Sequence, residues 1–300
     1  MTGPPAATAA VRVAVRRALP EGPVAAAVSG GADSLALAAA LVFERPGSYA
    51  LLIDHGLQPG SAQVVAQAAG VCRELGLDAR VLTAAPDGRD EAAARTARYA
   101  ELDAAAEELG LEAVLLGHTL DDQAETVLLG LARGAGARAL GGMAAVRGLY
   151  RRPFLGVRRA TTHEACAEAH LVPWEDPHNA DPSYARVRAR HRVLPILETH
   201  LGPGIAEALA RSAAQLREDA DALDALTPDT VVVAELAALP AALRARALKR
   251  MAERVCGTAV TSQHVDALRA LVEDWHGQGP VALPGGHRVG RKGRRLASVP

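Results

Sequence analysis

The chain has 300 residues, 49% of them hydrophobic and 22% charged, a length for one large or two modest domains and a composition that excludes wholesale disorder. A formal net charge of −1 excludes a uniformly basic, histone-like binder. No uninterrupted apolar run reaches the roughly 18 residues of a membrane span, and Arg12, Arg16 and Arg17 break up the N-terminal apolar stretch, so no secretory leader or membrane association is expected and cytoplasmic residence is.

A short apolar strand is predicted at 24–28, ending in Ser29-Gly30-Gly31, and a helix at 34–44. Strands at 49–53, 79–83 and 113–116 then alternate with helices at 61–75, 91–109 and 120–133, with Gly110 placed to end the third helix. Such an order predicts an α/β fold, a doubly wound parallel sheet with helices on both faces. Glycines cluster from 134 to 142, and a strand is expected at 145–150. Between residues 147 and 192 nine arginines face five acidic residues, a local surplus of four positive charges. Leu201-Gly202-Pro203-Gly204 is a breaker cluster, which predicts a first domain over 1–200 and a smaller, mainly helical one over 205–300. Helices are expected there at 205–226, 234–254 and 262–275, then a short hairpin with Pro284-Gly285-Gly286 at its tip. Residues 277–300 hold five basic side chains and no acidic one, a second phosphate contact or a solubilising end.

Ser29-Gly30-Gly31-Ala32-Asp33-Ser34 carries the strongest chemical signal. Glycines allow close backbone approach, and the following helix directs its free N–H groups at whatever lies in the loop. A phosphate suits that position. Asp33 beside a phosphate calls for a divalent cation shared between the two. The loop is neither a Walker loop nor GxGxxG, and an ordinary capped glycine turn is the bland alternative.

The string resembles the SGGxDS loop of the PP-loop ATP pyrophosphatase superfamily. Ile53-Asp54-His55-Gly56-Leu57, Arg95-Thr96-Ala97-Arg98-Tyr99, His118 to Thr126, Arg133-Gly134-Ala135-Gly136 and Pro173-Trp174-Glu175-Asp176-Pro177 resemble, in the same order, the tRNA(Ile)-lysidine synthetase family. That resemblance implies ATP and Mg²⁺ as cofactors, and L-lysine and a tRNA(Ile) with anticodon CAU as substrates. The 2-carbonyl of the wobble cytidine would be adenylated, and the lysine ε-amine would then displace AMP. Ser29, Gly30, Gly31, Ala32, Asp33, Ser34, Ile53, His55 and Gly117 are the expected nucleotide contacts. Asp33, Asp122, Arg95 and His118 are the expected catalytic set, with Asp33 and Asp122 as metal ligands.

Asp121, Asp122 and Glu125 begin a helix at the same rim as the loop, where they either hold Mg²⁺ or grip a cationic amine; acidic residues also favour helix N-termini for the dipole alone. Arg98, Arg188 and Arg190 are expected RNA or intermediate contacts, against the alternative of a solvated arginine-rich face. Arg186, Arg188, Arg190 and Arg192 would line one face only if the segment is extended, and on a helix would spread over more of the surface. Relatives show Arg-Asn-x-Ile-Arg where this chain has Arg186-Val187-Arg188-Ala189-Arg190. A Glu91–Arg95 helical pair, buried Cys72 and Cys166, and Trp174 and Trp275 as core anchors complete the reading. Two rival functions share the loop: a tRNA sulfurtransferase, which needs reactive cysteines, and a nucleotide-binding module without turnover. The three scattered cysteines include no CxxC pair. The sequence carries no signal of oligomeric state.

Overall fold

The computed structural model describes residues 3–54, 56, 60–84 and 91–299. Two compact units divide at Ala214 and Gln215. The first opens with α1 (Ala6–Ala18), which the strand-and-helix alternation did not predict. Ala7, Val11 and Val15 recur every four residues along it and are buried, which makes it an amphipathic helix on the core. β1 (Val24–Val28), α2 (Ala32–Glu44), β2 (Tyr49–Asp54), α3 (Ser61–Glu74), β3 (Asp78–Thr83), α4 (Glu91–Glu108), β4 (Ala113–Leu116) and α5 (Leu120–Ala132) follow as expected to within two residues. Beyond them lie α6 (Ala137–Leu140), β5 (Val146–Arg147), β6 (Tyr150–Arg151), α7 (Arg159–Glu168), α8 (Ala185–Arg188) and α9 (Leu194–Leu201).

The sheet order is β3-β2-β1-β4-β6-β5, parallel except at the β5 edge. The central strands are buried on both faces, which is why they read as continuous apolar runs. Their small residues let Leu35, Leu37 and Leu41 of α2 pack closely against the sheet with Phe154. The expected strand at 145–150 is corrected to a hairpin, β5 to β6, turned at Gly148, whose φ is +55°. The arginine run at 186–192 is helical instead of extended: α8 passes into a π-turn over Ala189–Val193.

α10 (Ile205–Leu226) is the helix predicted, and the unit division falls inside it. The second unit continues with α11 (Val233–Ala238), α12 (Ala241–Cys256) and α13 (Ser262–Glu273), then β7 (Val281–Ala282), β8 (Arg288–Lys292) and β9 (Arg295–Ser298). A single helix over 234–254 is corrected to α11 and α12, because Pro240 forces Leu239 into an extended conformation, with ψ 147°. Arg244 donates to the carbonyls of Leu236 and Leu239 at 3.0 and 2.8 Å and so satisfies the broken end. The expected hairpin is two strands of an antiparallel three-stranded sheet, β7-β8-β9, packed through Val289 and Leu296 on Leu236, Leu248 and Leu268. No helix among the described residues is long and apolar enough to cross a membrane.

The turn after β1 demands a glycine. Gly30 has φ +87°, and a Cβ there would lie 3.3 Å from the Ala68 methyl. Gly30→Ala should therefore lower unfolding stability by about 1–2 kcal/mol, measured by urea titration. Gly47→Ala, also at positive φ but in open space, gives the cost of the backbone alone.

Candidate active site

β1 and β4 are neighbours at the point where the chain turns to opposite sides of the sheet. Their carboxyl ends mark the crevice where ligands of such sheets usually bind. The loop after β1 enters it. Gly31 caps α2 without a side chain, so the N–H groups of Ala32 and Asp33 meet no acceptor among the described residues. Ser34 holds the loop's shape: its Oγ donates to the Gly31 carbonyl at 2.8 Å and accepts from the Ser29 N–H at 3.2 Å. Trp174 N–H donates to the Gly30 carbonyl at 2.9 Å, so the chain after α7 braces the loop. Gly117, just past β4, touches the same structure, and a Cβ there would lie 3.2 Å from the Asp33 carbonyl oxygen.

From β4 the chain enters α5 through a capping box. Thr119 donates from N and Oγ1 to Asp122 Oδ2, both at 2.8 Å, and accepts from the Asp122 N–H. Asp122 Oδ1 is left for Arg159 Nη2, at 2.6 Å. The same guanidinium donates to Glu125 Oε1 at 3.0 Å and lies 3.6 Å from Asp33 Oδ2. Glu125 is fully buried and also accepts from Arg190 at 2.7 and 3.2 Å. Asp121 accepts from the Arg159 N–H at 2.7 Å and from Arg158 at 3.0 Å, while Arg158 reaches Glu207 at 2.5 Å. Thr162 donates to Asp33 Oδ1.

These contacts set the charge states. Burial would raise Asp122, but Arg159 and the Thr119 hydrogen bonds outweigh it and hold the carboxyl below its usual range. Asp121 is lowered in the same way, with Arg158 and the Arg159 N–H overcoming burial. Asp33 goes the other way: burial raises it despite Thr162 and Arg159. Burial lowers His118 to about 4, with Asp122 opposing and Arg152, Arg95 and Arg186 reinforcing the fall. His118 Nδ1 and Arg152 Nε are both buried without a partner among the described residues.

The expected residues Asp33, Ser34, Gly117, Asp121, Asp122, Glu125 and Arg190 are thus linked by direct contacts, with His118 close enough to feel Asp122. Arg188 turns away and donates to the carbonyls of Pro182 and Ser183 at 2.7 and 2.6 Å. Arg95 lies over Tyr99, 5.0 Å from the ring centroid. Ile53 is half-buried at the end of β2, and Arg98 lies on α4. His55 and the Glu91 side chain lie outside the described residues. The sequence reading passed over Arg158, Arg159 and Thr162, because a lone Arg-Arg pair ahead of a weakly amphipathic helix carries no periodic or spacing signal. It also passed over Arg152, buried at the end of β6. Trp275, expected in the core, is 40% exposed.

Asp33 and Asp122 lie on one guanidinium beside the loop and feel each other's charge. Two such carboxylates fit a Mg²⁺ that arrives with phosphates and keeps several waters. Among the described residues no group of three His, Cys, Asp or Glu side chains is arranged to hold a metal ion, so no all-protein cation cage is built there. Beside the cluster is a cleft of about 150 Å³ lined by Glu125, Arg158, Arg190, Leu194, Pro195 and Glu198, among others.

Arg159→Gln should cost about 3–5 kcal/mol at pH 7, because it strands buried carboxylates. The depressed Asp121 and Asp122 stabilise the native protein above the unfolded carboxyl range, and that stability is lost as pH falls through their lowered values. Stranded carboxyls, raised by burial, behave oppositely and are relieved by protonation. The deficit of the variant, read by urea unfolding, should therefore shrink between pH 7 and pH 4.

Residues 8–197 match the PP-loop domain family and residues 232–297 the TilS substrate binding domain. A protein from Thermobifida fusca, curated as tRNA(Ile)-lysidine synthase, is 51% identical over 98% of this chain and 97% of its own length. One of the same name from Streptomyces coelicolor is 50% identical over 98% of both chains. A third from Leifsonia xyli is 51% identical over 89% of this chain and 86% of its own. Among solved structures, the U34-tRNA thiolase NcsA from Methanococcus maripaludis superposes with a TM-score of 0.59 at 18% identity, covering 71% of this chain and 80% of that one, a likeness of fold alone. On its two family matches and its near-full-length relatives, the chain belongs to the tRNA(Ile)-lysidine synthase family.

Proposed function

We propose that the protein joins L-lysine to C2 of the wobble cytidine of tRNA(Ile) bearing CAU, at the cost of ATP. The 2-carbonyl oxygen attacks the α-phosphorus, the bond to the β-phosphate breaks and pyrophosphate leaves. The ε-ammonium loses a proton to solvent, the resulting amine forms a bond to C2, and AMP departs with the former carbonyl oxygen. The observation that carries this reading is a phosphate loop and a buried, arginine-compensated carboxylate cluster in contact at one sheet rim, in a chain of this family.

The first helical N–H groups of α2 receive the phosphates as fixed donors that need no reorganisation, and the hydroxyls of Ser29 and Ser34, which hold the loop's shape in the free protein, turn toward the phosphates when they bind. Mg²⁺, held by Asp33 and Asp122, would neutralise charge on the leaving pyrophosphate. The adjoining cleft suits a zwitterion with an aliphatic stem: Glu125 and Glu198 for the ammonium, Leu194 and Pro195 for the methylenes, Arg158 and Arg190 for the carboxylate. In the free protein Arg159 and Arg190 occupy the carboxylates that an incoming amine needs. Amine binding is therefore an exchange of one cation for another, with no bare buried charge at any stage.

His118 stays neutral across the physiological range, since burial pushes it to about 4. A group that acidic is a poor base toward an ammonium, so its part is to orient through a neutral ring. The rival sulfur chemistry lacks an activated thiol: burial raises Cys72 to about 11 and raises Cys166, and buried protonated thiols are inert.

The direct test incubates the protein with ATP, Mg²⁺, labelled lysine and unmodified tRNA(Ile) bearing CAU; label in acid-insoluble RNA is the expected outcome, and its absence refutes the reading. Asp33→Asn should reduce pyrophosphate release by at least 100-fold with the circular dichroism unchanged. The His118 ring should show no titration by NMR between pH 8 and 5.5. Because unfolded histidine protonates near 6.5 while the native ring stays neutral to about 4, stability should fall as pH drops through that window, and His118→Asn should flatten the fall.

A further inference from the structure

The turn of the β8–β9 hairpin carries charge that no described residue of its own unit balances. Register pairs Lys292 directly across from Arg295, and Arg294 sits in the two-residue turn between them beside Gly293, whose φ is +60°. Directly opposed like charges in a sheet are destabilising. All three side chains are exposed, and none makes a hydrogen bond or ion pair among the described residues. Other cations nearby are used within the unit. Arg291 lies over Trp275, 5.3 Å from its ring centroid, and donates to the carbonyls of Gly293 and Leu271, both at 3.2 Å. Arg244 pairs with Glu273, and Arg254 with Asp229.

The tip is also held rigid. Val233 N–H donates to the Arg294 carbonyl and Leu296 N–H to the Val231 carbonyl, each at 2.9 Å, so the chain before α11 forms a partial fourth strand against it. A flexible basic end could spread its charges apart; this hairpin is prevented from doing so. Residues 292–295 of the turn include no apolar side chain, and the exposed Trp275 nearby lies against Arg291, which suits a phosphodiester backbone better than a membrane surface.

We propose that Lys292, Arg294 and Arg295 form a preorganised clamp for the phosphate backbone of tRNA. The inference rests on the tRNA-modifying reading above and assigns part of substrate contact to this hairpin. The full chain is tested for binding to a tRNA(Ile) transcript by fluorescence anisotropy over a range of salt concentrations. In the triple variant Lys292→Gln, Arg294→Gln, Arg295→Gln the dissociation constant should rise about ten-fold at 0.1 M salt, and the log–log salt slope should become shallower by about two to three. ATP binding should be unchanged. Arg295→Glu supplies the counter-charge to Lys292, so it should raise the melting temperature while weakening tRNA binding, an opposition that a merely structural residue would not produce. Wild-type affinity and slope in the triple variant overturn the clamp, as does weaker binding that merely tracks a lower melting temperature. If wild-type protein forms lysidine and the triple variant binds like it, the clamp alone fails. If the variant loses tRNA while wild type forms no lysidine, the catalytic reading alone fails.

Discussion

Arg159 meets three carboxylates from two helices with a single guanidinium, and the geometry of the first unit's rim follows from that contact. Asp33 comes from the helix after β1, Asp122 and Glu125 from the helix after β4. Without a cation between them these helix starts would repel each other in a region where burial strengthens every charge. A planar fork with five donors serves several carboxylates at once, as a lysine ammonium does less readily. The chain's bias points the same way, since Lys249 and Lys292 are the only lysines among its 33 basic residues. Arg190 and Arg158 extend the network outward to Glu125, Asp121 and Glu207.

The network joins electrostatics to backbone geometry. Gly117 lets the end of β4 lie against the Asp33 backbone, which brings the phosphate loop and the acidic helix into contact. Thr119 then fixes the orientation of Asp122 through the cap. One Asp122 oxygen is spent on local structure and the other faces the crevice. The rim is therefore set before any ligand arrives, and a ligand cation enters a network in which carboxylates outnumber guanidinium groups.

The second unit handles charge differently. Its apolar core is closed by Leu236, Leu248, Leu268 and Val289, and most of the cations around it are matched by a carboxylate or a carbonyl. At the β8–β9 turn the matching stops, although the backbone there is pinned. The first unit compensates charge internally and leaves its phosphate loop open; the second leaves cations open on a rigid turn.

Much of this was legible in the sequence. The apolar runs and their spacing dictated the strands and helices of the sheet, because a strand covered on both faces needs nothing beyond its neighbours to be apolar. The order Ser29 to Ser34 and His118 to Thr126 marked the two helix starts at one rim, since residues at carboxyl ends of adjacent parallel strands must meet. Pro240 broke a helix that leucine spacing alone would have continued, and Gly148 folded one expected strand into two. What the sequence could not supply was the partner of each charge. Arg158 and Arg159 lie more than thirty residues from the carboxylates they bind, and a surplus of arginines reads the same whether the side chains face water or a buried acid. Alternation at 186–192 left open whether the arginines share one face or spread over several; helical pitch turned Arg190 inward and left Arg188 on its own loop. Local patterns determine which backbone forms, because they act through neighbours in the chain. The pairing of charges is decided by tertiary structure, because Coulomb energy depends on distance in space and on the water removed when helices close.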